Sequence, residues 1–346
     1  MTDNLYFYDL NQSELLEYFQ TIGEPAYRVS QLWAAAYTNF VTNPDEITTL
    51  PKPIREQLKR DMSFSRLSIE NQLKSSDAET IKTLFALPDG ASIESVIMHY
   101  DERKTLCISS QAGCAMGCVF CATGQMGFKR NLSSGEIIEQ VIHLARELAL
   151  DGSKVTNIVI MGMGEPFHNY EAVITAIQRL NDAKGMNLGQ RRFTISTVGI
   201  VPAIRKFSEA KSQVNLAISL HAANDPLRSS LLPINRKYPL EMLMAACRDY
   251  VASTNRRLTF EWALIRDVND SPAHAQELVL LIKGLLCHVN LIPLNPTADY
   301  AGQATSLERA REFKQVLDQA GIPCTIRLRR GIDIQAGCGQ LAARRG

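Results

Sequence analysis

The sequence predicts an α/β protein: a partial barrel of six parallel β/α units, with a helical accessory domain before it and an extension after it. Three observations predict this. From residue 105 onward, apolar strand-like runs alternate with amphipathic helical stretches, the pattern of parallel β/α units. Six such runs fit, at 106–110, 155–161, 192–197, 215–219, 259–263 and 289–294, with helices near 134–148, 170–182, 201–208, 240–254 and 273–285. The chain has 346 residues, 45% hydrophobic and 21% charged, which suits one α/β barrel with an appendage and excludes a disordered or low-complexity chain.

Residues 1–64 read as the helical domain. Ser13 is placed to cap a run through Leu15, Leu16 and Phe19, and residues 27–37 carry Val29, Leu32 and Trp33 at helical spacing. Pro51 and Pro53 open a third helix ending near Met62, with Lys52, Arg55, Lys59 and Arg60 on it. Over residues 65–104 the pattern turns to strands. Pro88, Asp89 and Gly90 divide 80–87 from 92–98 as a hairpin, and the whole stretch reads as a linker ribbon. The barrel is assigned to 105–298. The extension, 299–346, holds a helix at 306–320, a strand at 323–328 and a tail.

Lysine and arginine number 37 against 36 acidic residues, a net charge of +1, so charge alone does not point to nucleic acid. No apolar run approaches the length of a membrane span, and Met1, Thr2, Asp3 and Asn4 start no leader pattern. A cytoplasmic protein without membrane attachment is expected. Eight cysteines, four of them between 107 and 121, then suit metal binding or catalysis better than a secreted disulfide framework.

The sharpest motif is Cys114-Ala-Met-Gly-Cys118-Val-Phe-Cys121, a C-x3-C-x2-C triplet just after the first barrel strand. Three thiolates can hold three irons of a 4Fe-4S cluster and leave the fourth open. Structural zinc would want a fourth ligand, and Cys107 is the nearest residue of that kind. Met161-Gly162-Met163-Gly164-Glu165-Pro166 closes the second strand. Its glycines admit a ligand to the backbone and Glu165 offers an acceptor, although a plain turn has the same look. Ser196, then Ser219-Leu220-His221, then Asn295 fall at later strand ends, where barrels keep their active sites. His221 alone fits a structural role equally well. Cys338, between Gly337 and Gly339, sits on a tail able to fold over the barrel mouth, or is a stray thiol.

These residues resemble the radical S-adenosylmethionine RNA adenine methyltransferases of the RlmN/Cfr family. The likeness includes Glu94 in Ile93-Glu94-Ser95-Val96, the run from Thr105 to Gln111, the triplet, Gly162 to Pro166, Ser219 to His221 and the Cys338 tail, and it reaches from the helical domain to residue 341. Pro166 after Glu165 is closer to the C2-methylating branch than to the antibiotic-resistance branch, which tends to have alanine. Gly337 departs from the pattern, where alanine is expected.

The resemblance implies a partial (β/α)6 radical S-adenosylmethionine barrel and a 4Fe-4S cluster on Cys114, Cys118 and Cys121. It implies S-adenosylmethionine at Gly164, Glu165, Ser196, Ser219, Leu220, His221 and Asn295, with two molecules used per turnover. Cys338 would accept a methyl group from the first. The second, cleaved to a 5′-deoxyadenosyl radical, would activate that methyl for addition to adenine C2, a carbon too electron-poor for ordinary methylation. By the same match Glu94 takes the proton and Cys107 resolves the protein–RNA adduct through a transient disulfide with Cys338. The residue types leave it open which of the two is the base. Cys247, Cys287 and Cys324 read as buried small hydrophobes. Implied partners are 23S ribosomal RNA near the peptidyl-transferase centre before full ribosome assembly, transfer RNA beside the anticodon, and an electron donor such as flavodoxin, with the chain a monomer. Lys129, Arg130, Arg327, Arg329 and Arg330 are candidate phosphate contacts. Rival readings are C8 methylation, a radical activase or sulfur-inserting enzyme, and a non-catalytic iron–sulfur RNA-binding protein or sensor.

Overall fold

The computed structural model describes residues 5–327 and 329–343. The readings placed on residues 1–4 and on Leu328, the end of the expected last strand, lie outside the described residues. The N-terminal domain comprises β1 (Leu5–Tyr6), α1 (Gln12–Thr21), α2 (Tyr27–Tyr37), α3 (Lys52–Asp61) and β2 (Met62–Ser63). Next come β3 (Ser68–Lys74), β4 (Thr80–Ala86) and β5 (Ser92–His99). The barrel opens with β6 (Lys104–Cys107), β7 (Gln111–Gly113), α4 (Ala122–Gln125), β8 (Phe128–Asn131) and α5 (Ser134–Leu150). It continues through β9 (Asn157–Ile160), α6 (Tyr170–Asn181), β10 (Phe193–Thr197), α7 (Val201–Glu209), β11 (Asn215–Ser219), α8 (Asp225–Leu231) and α9 (Leu240–Thr254). It ends with β12 (Leu258–Leu264), α10 (Pro272–Ile282), β13 (Cys287–Pro293), α11 (Leu307–Gln319) and β14 (Cys324–Ile326).

Among the described residues, ten strands form one sheet in the order β14-β13-β12-β11-β10-β9-β6-β5-β4-β3. The six strands β6 and β9 to β13 run parallel, and β14 extends them by one more parallel strand. Alternate strand residues on the face turned away from the barrel cavity, such as Leu106, Ile158, Ile195, Leu216, Phe260 and Val289, are fully buried, and each contributes about 1.5–3 kcal/mol by leaving water. The stretch read as a linker ribbon is part of this sheet: β3, β4 and β5 add an antiparallel meander onto β6. That placement brings Glu94 and Lys82 beside the barrel mouth.

Local chemistry moves some boundaries. Asn11, not Ser13, caps α1: its side chain accepts from Ser13 N and Glu14 N, and Glu14 answers with a bond from Asn11 N at 2.7 Å. Ser133 and Glu136 make the same box at the start of α5. Asn255 at φ 52° stops α9 in the left-handed conformation. The sequence reading passed from the fourth strand straight to α9 and missed α8, which Asn224 caps by accepting from Leu227 N at 2.9 Å. The N-terminal domain is tied to the barrel through Glu139 of α5. This carboxylate, fully buried, accepts from Tyr6 Oη, Ser65 Oγ and the amides of Arg66 and Leu67.

Candidate active site

The three cysteines lie on the loop between β7 and α4, beyond the C-terminal end of β6. Gly113, at φ +75°, makes this loop possible: a Cβ there would stand 2.0 Å from Gly127 O, which accepts from Cys114 N at 2.9 Å. Cys114 and Cys118 are buried and Cys121 half-buried, all as free thiols. Burial pushes Cys114 up to about 12 and Cys118 well above the ordinary thiol value. These are neutral thiols in a dry pocket, and a cationic iron–sulfur group would convert them to thiolates. Among the described residues no set of three Cys, His, Asp or Glu groups closes around a single-ion position. The donor set, three thiols from one loop on one cavity wall, fits a cluster held by three cysteines with an open iron.

That cavity, about 210 Å³, is ringed by the strand ends. Gly162 and Gly164 line it because a side chain has no room: a Cβ on Gly162 would stand 2.7 Å from Ile108 O, and one on Gly164, at φ +103°, would stand 2.6 Å from Gln111 Cβ. Glu165 accepts from Phe167 N at 3.0 Å and Val198 N at 2.9 Å. Its burial still raises it to about 7, against the lowering by Thr197 and these amides. Ser196 and Ser219 face each other, Oγ to Oγ, at 3.3 Å. His221 accepts from Ala263 N through Nδ1 at 2.9 Å, which puts the ring proton on Nε2. Burial, and then the charge of Arg228, pull it down to about 3, so it is a neutral donor. Asn295 donates from Nδ2 to Cys338 O at 3.1 Å, and its buried Oδ1 has no protein partner. A ligand donor is what such an acceptor lacks.

The tail folds over this mouth. Ala122 N donates to Gly339 O at 2.8 Å and Thr123 Oγ1 to Leu341 O at 2.6 Å. Cys338 and Cys107 thereby line the same cavity as the triplet. Burial, reinforced by Cys338, pushes the Cys107 thiol up to about 12. Gly337 explains its own presence: a Cβ would stand 2.5 Å from Asn295 Nδ2. Glu94 stands outside the cavity lining. Its carboxylate pairs with Lys82 at 3.0 Å and accepts from the amides of Ala342 and Ala343 at 2.8 and 3.1 Å. Leu220 does not line the cavity: its side chain lies in the core, its N donates to Glu261 O at 3.0 Å and its O accepts from Ala222 N and Arg228 Nε, so the cofactor contact expected there has no free group to make it.

Several basic residues are engaged internally. Arg130 is paired with Asp89 and Glu136, Arg330 with Glu79, and Arg327 lies 4.0 Å from the buried Glu261, while Arg327, Arg329 and Arg330 line the cavity. Lys129 and Arg329 are exposed. Sequence reasoning missed Lys82, Arg228 and Glu261, each isolated from the motifs in sequence. Only the position of Glu261 on an expected strand could have suggested that it faces the barrel interior.

A loop of three cysteines at the first strand end of a partial β/α barrel, ringed by polar strand ends, is the arrangement of a radical S-adenosylmethionine enzyme. The Radical SAM superfamily matches residues 108–279, and the ribosomal RNA large subunit methyltransferase N-terminal domain matches residues 4–63. The chain is 48% identical to a probable dual-specificity RNA methyltransferase RlmN of Chloroflexus aurantiacus, covering 97% of this chain and 92% of the relative. It is 46% identical to dual-specificity RNA methyltransferase RlmN 1 of Myxococcus xanthus, covering 97% and 94%. The crystal structure of a radical SAM methyltransferase from Sphaerobacter thermophilus superposes with a TM-score of 0.96 at 50% identity, over 98% of this chain and 100% of that one. The chain belongs to the RlmN family of radical S-adenosylmethionine methyltransferases.

Proposed function

We propose that the chain methylates C2 of an adenosine in 23S ribosomal RNA and of the adenosine 3′ to a transfer-RNA anticodon, with Cys338 as methyl carrier. The observation that carries this reading is the meeting of Cys338, Cys107 and the cysteine triplet on one cavity. An RNA substrate is supported by the names of the relatives and a ribosomal one by the N-terminal family match, while the C2 position and the transfer-RNA site rest on the family resemblance.

Cys114, Cys118 and Cys121 hold the 4Fe-4S cluster, which when bound supplies an open iron for S-adenosylmethionine and the electron that breaks its S–C5′ bond. Gly162 and Gly164 let the cofactor approach the backbone. Glu165, Ser196, Ser219, His221 and Asn295 supply its polar contacts. The Cys338 thiolate would take a methyl group from one S-adenosylmethionine and leave S-adenosylhomocysteine; a hydrogen atom of that methyl would pass to the 5′-deoxyadenosyl group cleaved from the second, and the carbon would then bond to adenine C2. Glu94 removes the C2 proton. Both its oxygens are engaged by Lys82 and the tail amides in the docked state, so base action requires the segment at Ala342 to move. Removal of the C2 proton goes with return of the one electron that began the cycle; the Cys107 thiolate then attacks the Cys338 sulfur, the disulfide forms as the sulfur–carbon bond breaks, and the released carbon takes up a proton to complete the methyl group on the RNA. The reading further gives the substrate as ribosomal RNA before full assembly, an electron donor such as flavodoxin, and a cytoplasmic monomer.

The test is an anaerobic reaction of the reconstituted chain with reductant, methyl-deuterated S-adenosylmethionine and unmodified RNA, read by nucleoside mass spectrometry. Labelled 2-methyladenosine that disappears in Cys338→Ala is the expected result. Labelled 8-methyladenosine, or release of 5′-deoxyadenosine with no methylated base, overturns it. Cys107→Ala should accumulate a crosslinked RNA, and full turnover by that variant would remove Cys107 from the scheme.

A further inference from the structure

Arg228 of α8 is fully buried behind the cysteine loop. It donates from Nε to Leu220 O at 3.1 Å, from Nη1 to Asn235 Oδ1 at 2.8 Å, and from Nη2 to Val198 O at 2.7 Å and Ser219 O at 3.2 Å. Every one of these acceptors is neutral. The nearby Asp225 directs Oδ1 elsewhere, accepting from Asn235 Nδ2 at 2.8 Å and Leu240 N at 2.9 Å. Burial pulls Arg228 down only to about 10, which leaves it charged at neutral pH. A buried cation bonded to no anion is an expensive feature for a fold to keep.

The surroundings supply the missing anion. Val119 N, on the cysteine loop, donates to Leu231 O at the end of α8 at 3.1 Å. Leu231 and Leu232 pack with Cys118 and Phe120 in one apolar cluster. The Cys118 sulfur is the strongest favourable electrostatic influence on Arg228, and Arg228 is the charge that favours a Cys118 thiolate. Three thiolates on a cluster bring net negative charge into this dry pocket, and each electron added to the cluster brings more.

We propose that Arg228 is a positioning residue for the electron-transfer step: its buried charge is the permanent counter-charge of the cluster and raises the cluster's reduction potential, while its hydrogen bonds hold the ends of β10 and β11. This rests on the reading that the triplet holds a 4Fe-4S cluster. The step concerned is the uptake of one electron by that cluster from an external low-potential reductant, with no bond made or broken. A fixed positive charge in a medium of low dielectric favours the reduced form.

The test uses the full chain, reconstituted anaerobically, with iron and sulfide content and a potentiometric titration followed by electron paramagnetic resonance. Arg228→Gln should make one-electron reduction at least tenfold less favourable, a shift of about 59 mV to lower potential. A second variant leaves every Arg228 hydrogen bond in place. Cys247 on α9 is fully buried and near enough to Arg228 for a negative charge there to act on the guanidinium, so Cys247→Asp adds a buried carboxylate within its field at nearly constant volume. It should lower the potential as Arg228→Gln does, whereas Cys247→Ser stays at the wild-type value. A wild-type potential in cluster-loaded Cys247→Asp overturns the proposal, as does an equal shift in Cys247→Ser. So does an unfolded Cys247→Asp, because an unspent cation would welcome the carboxylate. Failure of the wild-type chain to bind iron and sulfide would instead remove the cluster reading on which the proposal stands.

Discussion

Two buried polar regions of this molecule obey opposite rules. At the junction of the N-terminal domain and α5, Glu139 is saturated: Tyr6, Ser65 and the amides of Arg66 and Leu67 all donate to it, and His143 stands 3.3 Å away. At the barrel mouth, Asn295 Oδ1 and Glu261 Oε2 are buried without a partner, and the thiols of Cys114 and Cys118 are neutral for want of a cation. Polar groups that complete one another hold a structure together. Groups left incomplete in a closed pocket are waiting for something that is not protein.

The comparison breaks most visibly at Glu139. Glu139→Leu leaves several buried donors unsatisfied at once and should lower stability by about 3–5 kcal/mol, measured by urea unfolding of the cluster-free chain. A loss below about 1 kcal/mol would mean that water replaces the carboxylate and that the junction is no staple.

On the other side of the comparison, His221 makes a pH dependence. Its folded pKa, about 3, is depressed below the usual value of 6.5, so between those limits the unfolded chain binds a proton that the folded chain refuses. Stability is therefore intact above pH 6.5 and falls as pH drops toward 3, by up to about 1.4 kcal/mol per pH unit from this group. His221→Asn keeps an acceptor for Ala263 N and removes the titration. Its unfolding free energy, followed from pH 7 to 4, should fall less steeply than that of the wild type. Parallel curves would show that His221 already meets solvent.

Gly337 gives a smaller effect. Alanine there must push back the Asn295 amide and Gln340 Oε1, both side-chain ends, so the cost is about 1 kcal/mol of tail docking. That corresponds to about fivefold faster hydrogen exchange of the Ala122 amide, which donates to Gly339 O in the docked tail, with the melting temperature of the barrel unchanged. An unaltered rate would show that the tail docks without the Asn295 bond.

Much of this was legible in the chain because its signals are local. Buried parallel strands read as apolar runs, so β9 to β13 stand close to where the pattern puts them, and the spacing of Cys114, Cys118 and Cys121 is a feature of a single loop. What escaped is what depends on partners far apart in sequence. Asn11 outcompetes Ser13 as a cap because its amide reaches two backbone donors. Arg130 looks free until Asp89, 41 residues earlier, is folded against it. The sequence does not display the isolation of the Arg228 charge either, because Asp225, three residues earlier, turns Oδ1 to Asn235 and Leu240 and not to the guanidinium. Glu94 was legible by resemblance, but its capture by Lys82 and the tail was not.

Glu261 provides the finest test, because it is the same chemical group as Glu139 in the opposite situation. Its Oε1 accepts from Asn290 Nδ2 at 3.0 Å, Oε2 is bonded to nothing, and Arg327 is 4.0 Å distant. Burial raises its pKa, which means that the folded state already disfavours the ionised form. Glu261→Gln retains the acceptor for Asn290, removes an incompletely solvated charge and gives up a long attraction to Arg327. The two changes oppose each other and the net effect on unfolding free energy at pH 7 should lie within about 0.5 kcal/mol of zero. The matching substitution Glu139→Gln should be clearly destabilising, because an amide nitrogen would be turned toward donors. Should both variants lose more than about 2 kcal/mol, Glu261 would be as structural as Glu139, and an unpartnered oxygen at this mouth would no longer mark a place prepared for a ligand.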